Sequence, residues 1–276
     1  MKGELAGGGL LVCATPIGNL EDVTLRVLGA LRDADVLACE DTRHTRVLLE
    51  RHQIHARELV SFHEHNERAR TAQLLERMRS GAVVALVSDA GTPLISDPGY
   101  ELVRAALDAQ LEVRVLPGPS SVTAALVASG HTAQSFCFAG FLPRKRAELE
   151  RVLASSPQTL VALESPRRLA QTLLVLSELE PSRQVAVCRE LTKLHEEVRR
   201  ATAAQLAAHY REHTPRGEVV LVIAQAPAAS REPADALAAL RALVDAGARP
   251  RPAAGVLAKL TGVSANELYD GLLGES

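Results

Sequence analysis

Acidic, hydroxyl and glycine residues gather in one stretch of this chain, Ser88 to Gly99, which reads SDAGTPLISDPG. Asp89 and Asp97 can accept hydrogen bonds from a ligand's hydroxyls or amine, or cap a following turn. Gly91 and Gly99 admit backbone conformations closed to other residues and let a ligand approach the main chain. Pro93 and Pro98 fix φ and lower the entropy lost when such a loop closes on a ligand. The stretch exceeds the usual length of a connection in a compact domain, which marks it as functional or as a structural Ω-loop held by Asx-turns. Further titratable residues stand where apolar runs end: Glu40 and Asp41, His63, and Glu190. The pair Glu40-Asp41 suits either a ribose contact or a helix cap. The first turn, Thr15-Pro16-Ile17-Gly18-Asn19, lacks the glycine-rich dinucleotide fingerprint, which favours the cap.

The elements that position these residues are legible as an alternation. Leu10–Ala14, Val36–Cys39, Leu59–His63, Val83–Val87 and Glu112–Leu116 read as strands. Helical spacing separates them at 24–31, 45–52, 67–79 and 100–107, with Asp22 or Thr24 as the cap of the first helix. In the helix over 67–79, Ala72, Leu75 and Met78 are expected on one side. Strict β–α alternation implies a parallel sheet with helices on both faces, whose ligand crevice lies beyond the carboxyl ends of the strands. The long loop is at such an end. Pro117-Gly118-Pro119-Ser120-Ser121 marks a boundary. Beyond it, strand-like runs at 136–142, 159–164, 184–190, 196–199 and 217–223 and helical patterns at 146–154, 167–179 and 202–210 describe a second α/β domain of mixed strand direction. Ala226 to Pro233 reads as a linker, followed by a helix over 234–246, a break at Arg249-Pro250-Arg251-Pro252, and short helical segments around Val256 and Leu268. The expected organisation is therefore an α/β domain over 1–117, a second over 118–225, and a linker with a small helical extension over 226–276.

Composition narrows the function classes. The 276 residues are 47% hydrophobic and 23% charged, which describes a globular protein with a substantial core. Aromatics at 3% and the absence of Trp leave no stacking platform for single-stranded nucleic acid, and a net charge of −2 excludes a globally basic protein. Cys13, Cys39, Cys137 and Cys188 are scattered without CxxC or zinc spacing, so no metal centre is expected and a reducing compartment is. Neither a signal-peptide pattern nor an apolar run of transmembrane length is present, and a cytoplasmic location is expected.

Six segments in order carry a resemblance: TPIGNLEDVT (15–24), EDTRHT (40–45), SDAGTPLISDPG (88–99), PGPSS (117–121), GFLPRK (140–145) and RELTK (189–193). Together they resemble the tetrapyrrole methylase superfamily and, within it, the bacterial enzymes that methylate a ribose 2′-hydroxyl of 16S ribosomal RNA. The resemblance spans about 10–224. It implies a two-domain fold with S-adenosylmethionine between the domains, usually in a homodimer. It also implies a substrate cytidine in the decoding centre, presented by the small ribosomal subunit, with no membrane partner. Cofactor contacts would fall on Pro16, Ile17, Asp89, Ala90, Gly91, Thr92, Ser120 and Ser121, with Leu163 and Leu191 from the second domain. Val161-Ala162-Leu163-Glu164-Ser165 is less aromatic than the family's strand at that place. Arg43, His44, Arg144, Lys145 and Lys193 are the implied RNA contacts, among basic residues that also include Arg146, Arg167, Arg168 and Arg189. Methyl transfer from a sulfonium needs in-line placement, and a weakly acidic ribose hydroxyl is helped by a proton acceptor. Asp41, Asp89 and Glu190, with His63, are the acceptors considered. A porphyrinoid C-methyltransferase or a diphthine synthase would share fold and cofactor. A nucleotide-binding module without turnover is the alternative from outside catalysis.

Overall fold

The computed structural model describes residues 5, 7–154, 157–226 and 233–274. It divides into two units, 1–225 and 226–276. In the larger unit the first sheet holds β1 (Gly9–Cys13), β2 (Val36–Cys39), β3 (Leu59–Ser61), β4 (Val83–Val87) and β5 (Glu112–Leu116), all parallel in the order β3-β2-β4-β1-β5. Period-two alternation assigns its two faces. Leu11, Cys13, Leu37, Cys39, Ala85 and Val87 face a core built with α1 (Leu25–Asp33) and α2 (Thr42–Arg51). Leu10, Val12, Val36, Ala38, Val84 and Leu86 face the opposite core, built with α3 (Glu67–Arg79) and α4 (Tyr100–Asp108). β1 leads past β4 to β2 and β4 leads past β1 to β5, with α1 and α4 on opposite faces, so the loops after the two adjacent central strands leave to opposite faces and open a crevice at the carboxyl edge.

The second sheet comprises β6 (Phe136–Phe141), β7 (Thr159–Glu164), β8 (Gln184–Arg189), β9 (Glu197–Thr202) and β10 (Val219–Ile223), in the order β6-β7-β10-β8-β9. Only the β6–β7 pair is parallel, so the sheet is mixed. One face packs on α6 (Arg146–Ala154), α7 (Leu169–Leu179) and α8 (Ala203–Glu212) through Leu149, Leu173, Leu206 and Tyr210. The other face, with Val161, Ala186, Cys188, Val220 and Val222, is covered by α5 (Ser121–Ser129) and by Ile17 from the first sheet's first turn.

Local signals explain most boundaries. Thr24 caps α1, its hydroxyl accepting Val27 N–H at 3.2 Å, and Asp41 caps α2, accepting Arg43 N–H at 2.8 Å. The inward face of α3 differs from expectation: Thr71, Leu74 and Met78 are buried, whereas Ala72 is exposed and Leu75 half-buried. Met78 belongs to both the row through Leu74 and the row through Leu75, and the sheet takes the first. Arg167 lies in the turn before α7 rather than within it.

The smaller unit is three helices, α9 (Pro233–Asp245), α10 (Pro250–Thr261) and α11 (Ala265–Leu273), around Leu240, Ala254, Leu257 and Leu268. Residues 227–232 of the expected linker lie outside the described residues. Arg249-Pro250-Arg251-Pro252 is a helix start rather than a break, because a proline in the first turn gives up no intrahelical donor. No helix among the described residues is long and apolar enough to cross a membrane.

Candidate active site

A cleft of about 400 Å³ opens between the carboxyl edge of the first sheet and one end of the second. That size and a mixed apolar and polar lining suit a small organic ligand. The first sheet supplies Ile17 from the turn after β1 and Ala90, Ile95, Ser96 and Asp97 from the loop after β4. Two backbone hydrogen bonds between Thr15 and Gly91, at 2.8 and 3.0 Å, zip these segments together, and the Thr15 hydroxyl donates to Ser88 C=O at 3.0 Å. At its far end the loop is held by Glu67, which accepts the N–H groups of Gly99 (2.9 Å) and Glu101 (3.2 Å). Leu94 and Ser96 sit at φ 74° and 69°, left-handed conformations that non-glycine residues hold only under constraint from their surroundings.

The second sheet supplies the opposite wall. Val219, the first residue of β10, pairs with Glu164 on one side and Arg189 on the other, which brings 163–166, 188–191 and 217–220 to one end. Leu163, Cys188, Leu191 and Val220 line the apolar part, and Phe141 of β6 is 63% exposed at the mouth. Burial raises the Cys188 thiol to about 11, so it is a neutral wall atom. Glu164 ends β7 with a fully buried side chain. It accepts Ser165 N–H at 2.7 Å and the Thr172 hydroxyl at 2.5 Å and lies 3.4 Å from Arg168. Arg168 in turn donates to Leu142 C=O (3.0 Å) and Pro143 C=O (2.6 Å), and so holds the GFLPRK segment.

The turn after β8 is a second strained segment, with Glu190 at φ 50° and Thr192 at φ 66°. Glu190 Oε1 accepts Lys193 Nζ and Glu218 N–H, both at 2.9 Å, and those contacts hold its carboxyl below the usual range. Lys193 also meets Glu218 at 2.9 Å, and the Thr192 hydroxyl accepts Asn19 N–H at 3.0 Å, tying this turn to the first one.

Of the residues expected at a cofactor, Ile17, Ala90, Ser121, Leu163 and Leu191 line the cleft, as does Glu190. Gly91, Thr92 and Asp89 frame the loop instead. Gly91 pairs with Thr15, and the Thr92 hydroxyl donates to Pro119 C=O at 3.4 Å. Asp89 accepts Asp41 N–H at 2.9 Å and meets His44 Nδ1 at 3.1 Å. Pro16 is buried, and Ser120 lines a separate groove with Thr24, Thr123, Val127 and Thr192. Asp41 is engaged by Arg43, whose side chain and backbone N–H hold the carboxyl well below the usual carboxylate range. Arg43, His44, Arg144 and Lys145 are exposed; Lys145 lies 3.3 Å from Glu148, and Arg146 pairs with Glu150 and Glu178. His63 Nδ1 is buried without a partner.

Sequence reasoning overlooked Glu164, Gly217 and Glu218, and it named Asp97 as a possible ligand acceptor or turn cap without placing it among the proton acceptors or cofactor contacts. Asp97 lines the cleft beside Ser88. Burial, the Glu40 carboxylate and Asp89 push it up to about 7, against the lowering effect of the Ser88 hydroxyl. Glu40 is itself raised, by burial and by Asp89. A raised carboxylate favours the folded state when protonated, so its contribution is complete below the unfolded value near 3.8 and is lost as pH rises through about 7. A shift of that size is worth about 4 kcal/mol at full strength, which solvent contact reduces to about 1–2 kcal/mol. Asp97→Asn is therefore expected to melt a few degrees above the wild type at pH 8 and level with it at pH 4. Equal melting temperatures at pH 8 would show that the carboxylate is not crowded there.

The cleft suits a ligand with an apolar body and cationic centres. Its wall is apolar, its lining includes Asp97, Glu190 and Glu218 and no Lys, Arg or His, and Ser121 brings the N-terminal end of α5 to it as a source of backbone donors. The sequence profile described as Tetrapyrrole (Corrin/Porphyrin) Methylases matches residues 9–207. The chain is 47% identical to ribosomal RNA small subunit methyltransferase I of Mesorhizobium japonicum, over 96% of this chain and 91% of that one. The protein of the same name from Escherichia coli O157:H7 is 43% identical, over 95% and 93%. Among solved structures, a uroporphyrin-III-C-methyltransferase from Thermus thermophilus superposes with a TM-score of 0.56 and 26% identity, over 79% of this chain and 94% of that one. The divergent loops at the centre of a parallel sheet, the mixed second sheet closing over them and the sequence likeness along the whole of that unit lead to one assignment: this chain belongs to the tetrapyrrole methylase family.

Proposed function

We propose that this chain transfers a methyl group from S-adenosylmethionine to the 2′-hydroxyl of a cytidine in the decoding centre of 16S ribosomal RNA, using the small ribosomal subunit as substrate. The observation that carries the reading is the near full-length likeness to small-subunit ribosomal RNA methyltransferases, joined to a cleft whose acid-rich lining suits a sulfonium and an ammonium. When bound, the cofactor supplies an electrophilic methyl group. The chain's own residues do the rest. Ile17, Leu163, Leu191 and Val220 would hold the cofactor's apolar part, with the backbone at Ala90 and the α5 N-terminus available as donors to its polar groups. Asp89 keeps the loops after β2 and β4 in register through Asp41 N–H, and Asp41 caps α2. Glu190 and Lys193 fix the turn that closes the second wall.

Phosphate contacts fall to Arg43, His44, Arg144 and Lys145. Exposed ion pairs such as Arg43–Asp41 and Lys145–Glu148 are weak, so these cations can exchange a carboxylate for a phosphate. The active assembly we assign is a homodimer in the cytoplasm. Leu25, Val127 and Leu194 are 86, 81 and 94% exposed and lie in or beside segments that border the groove of Thr24, Val127 and Thr192, an apolar surface suited to a partner. Labelled S-adenosylmethionine incubated with small subunits lacking the modification is expected to yield one 2′-O-methylcytidine, located by mass spectrometry. Absence of label in subunits, with the cofactor bound, would refute the reading.

A further inference from the structure

Of the acceptors considered from sequence, His63 is not among the residues that line the cleft and meets Asn66 through Nε2 at 3.2 Å, and the three carboxylates are engaged by other groups. Asp41 faces Arg43, Asp89 spans Asp41 N–H and His44, and Glu190 is held by Lys193 and Glu218 N–H. Of the other cleft carboxylates, Glu164 is committed to Thr172, Ser165 and Arg168, and Glu218 to Lys193. Asp97 differs. Among the described residues it is the cleft-lining carboxylate with no cationic partner, and the groups that face it are the Ser88 hydroxyl and the carboxylates of Glu40 and Asp89. It follows directly on Ser96, one of the two non-glycine residues of the loop at positive φ, and the loop is fastened at both ends by the Thr15–Gly91 bridge and by Glu67. Strain of this kind is retained where a side chain must be aimed.

We propose that Asp97 is the general base that accepts the proton of the ribose 2′-hydroxyl during methyl transfer. The inference rests on the function proposed above. In the step, a lone pair of the 2′-oxygen forms the bond to the methyl carbon. The carbon–sulfur bond breaks with its electron pair staying on sulfur, and the hydroxyl proton passes to the Asp97 carboxylate and then to water. The crowding that places this carboxyl near neutrality suits the task, because a base is most effective when its affinity for protons matches the working pH. Glu40 and Asp89 serve as positioning residues that set that affinity.

The test compares wild type, Asp97→Asn and Asp97→Ala on small subunits, with cofactor affinity measured separately by calorimetry. Asp97→Asn is expected to lower the transfer rate about 100-fold or more while cofactor affinity stays within a few-fold. The wild-type rate should rise through pH 7 and the residual rate of the variant should lose that inflection. Formate should restore part of the rate of Asp97→Ala and none of that of Asp97→Asn. Independently of activity, the carboxyl carbon of Asp97 in aspartate-labelled protein should titrate near pH 7 by NMR. An Asp97→Asn rate within threefold of wild type with an unchanged pH profile overturns the role of Asp97 alone. Failure of the wild type to label subunits overturns the ribose reading and this one with it.

Discussion

Glu164→Ala is expected to lower the apparent melting temperature by about 10 °C, from a loss of about 3–4 kcal/mol. The Glu164 side chain has no exposure to solvent and serves three partners at once: Ser165 N–H, the Thr172 hydroxyl and the Arg168 guanidinium. Alanine removes the acceptor and leaves a largely buried guanidinium and a buried hydroxyl without their carboxylate, which costs more than the ion pair itself contributes. The damage should spread. Arg168 holds the carbonyls of Leu142 and Pro143, so freeing it loosens the segment that follows Phe141 at the cleft mouth. Glu164→Gln keeps an acceptor for Ser165 or Thr172 and should lose about 1 kcal/mol. Thermal melts followed by circular dichroism discriminate the two; equal small losses for both would mean that Arg168 finds water when the carboxylate is gone.

What could be read in advance divides along a physical line. The strand Val83–Val87 and the loop after it are visible because an apolar β-branched run and a cluster of Gly, Pro and Asp are local signals. The same holds for Asp41 as a cap, where the absent glycines of the first turn decide between a cap and a ribose contact. The buried face of α3 is shifted by one residue from the expected one, since Leu74 and Leu75 both lie within helical reach of Met78 and only the sheet chooses between them. The second wall of the cleft is of another kind. Glu164, Glu190 and Gly217 meet because β7 and β8 flank β10 in an antiparallel register that pairs Val219 with Glu164 and with Arg189. No spacing in the chain announces that register. Asp97 lies between these cases: its place in the loop is plain, but its neighbour Glu40 comes from the end of β2, and only the sheet order brings the two carboxylates together. Residues whose chemistry depends on non-local charge are therefore the ones that periodicity leaves out.

Gly217→Ala should disturb that second wall more than any other small substitution there. Gly217 sits at φ +85°, where a Cβ costs about 1–2 kcal/mol. The added carbon would also overlap Glu190 Cδ and stand 2.6 Å from its Cγ, so the carboxylate that crosses Gly217 has to leave. Its departure forfeits the 2.9 Å contacts with Lys193 Nζ and Glu218 N–H. Together these losses amount to about 2–3 kcal/mol. Glu190, Gly217, Glu218 and Val219 all line the cleft, so S-adenosylmethionine affinity is expected to fall about tenfold as well, measured by calorimetry. A double-mutant cycle separates the two causes. In a Glu190→Ala background no side chain crosses Gly217, and Gly217→Ala should then cost only the backbone share of about 1–2 kcal/mol. An identical cost in both backgrounds would assign the whole effect to φ and remove Glu190 from the account. A smaller cost beside Glu190→Ala would show that the glycine is there to let a carboxylate pass and lock the turn that closes the cleft.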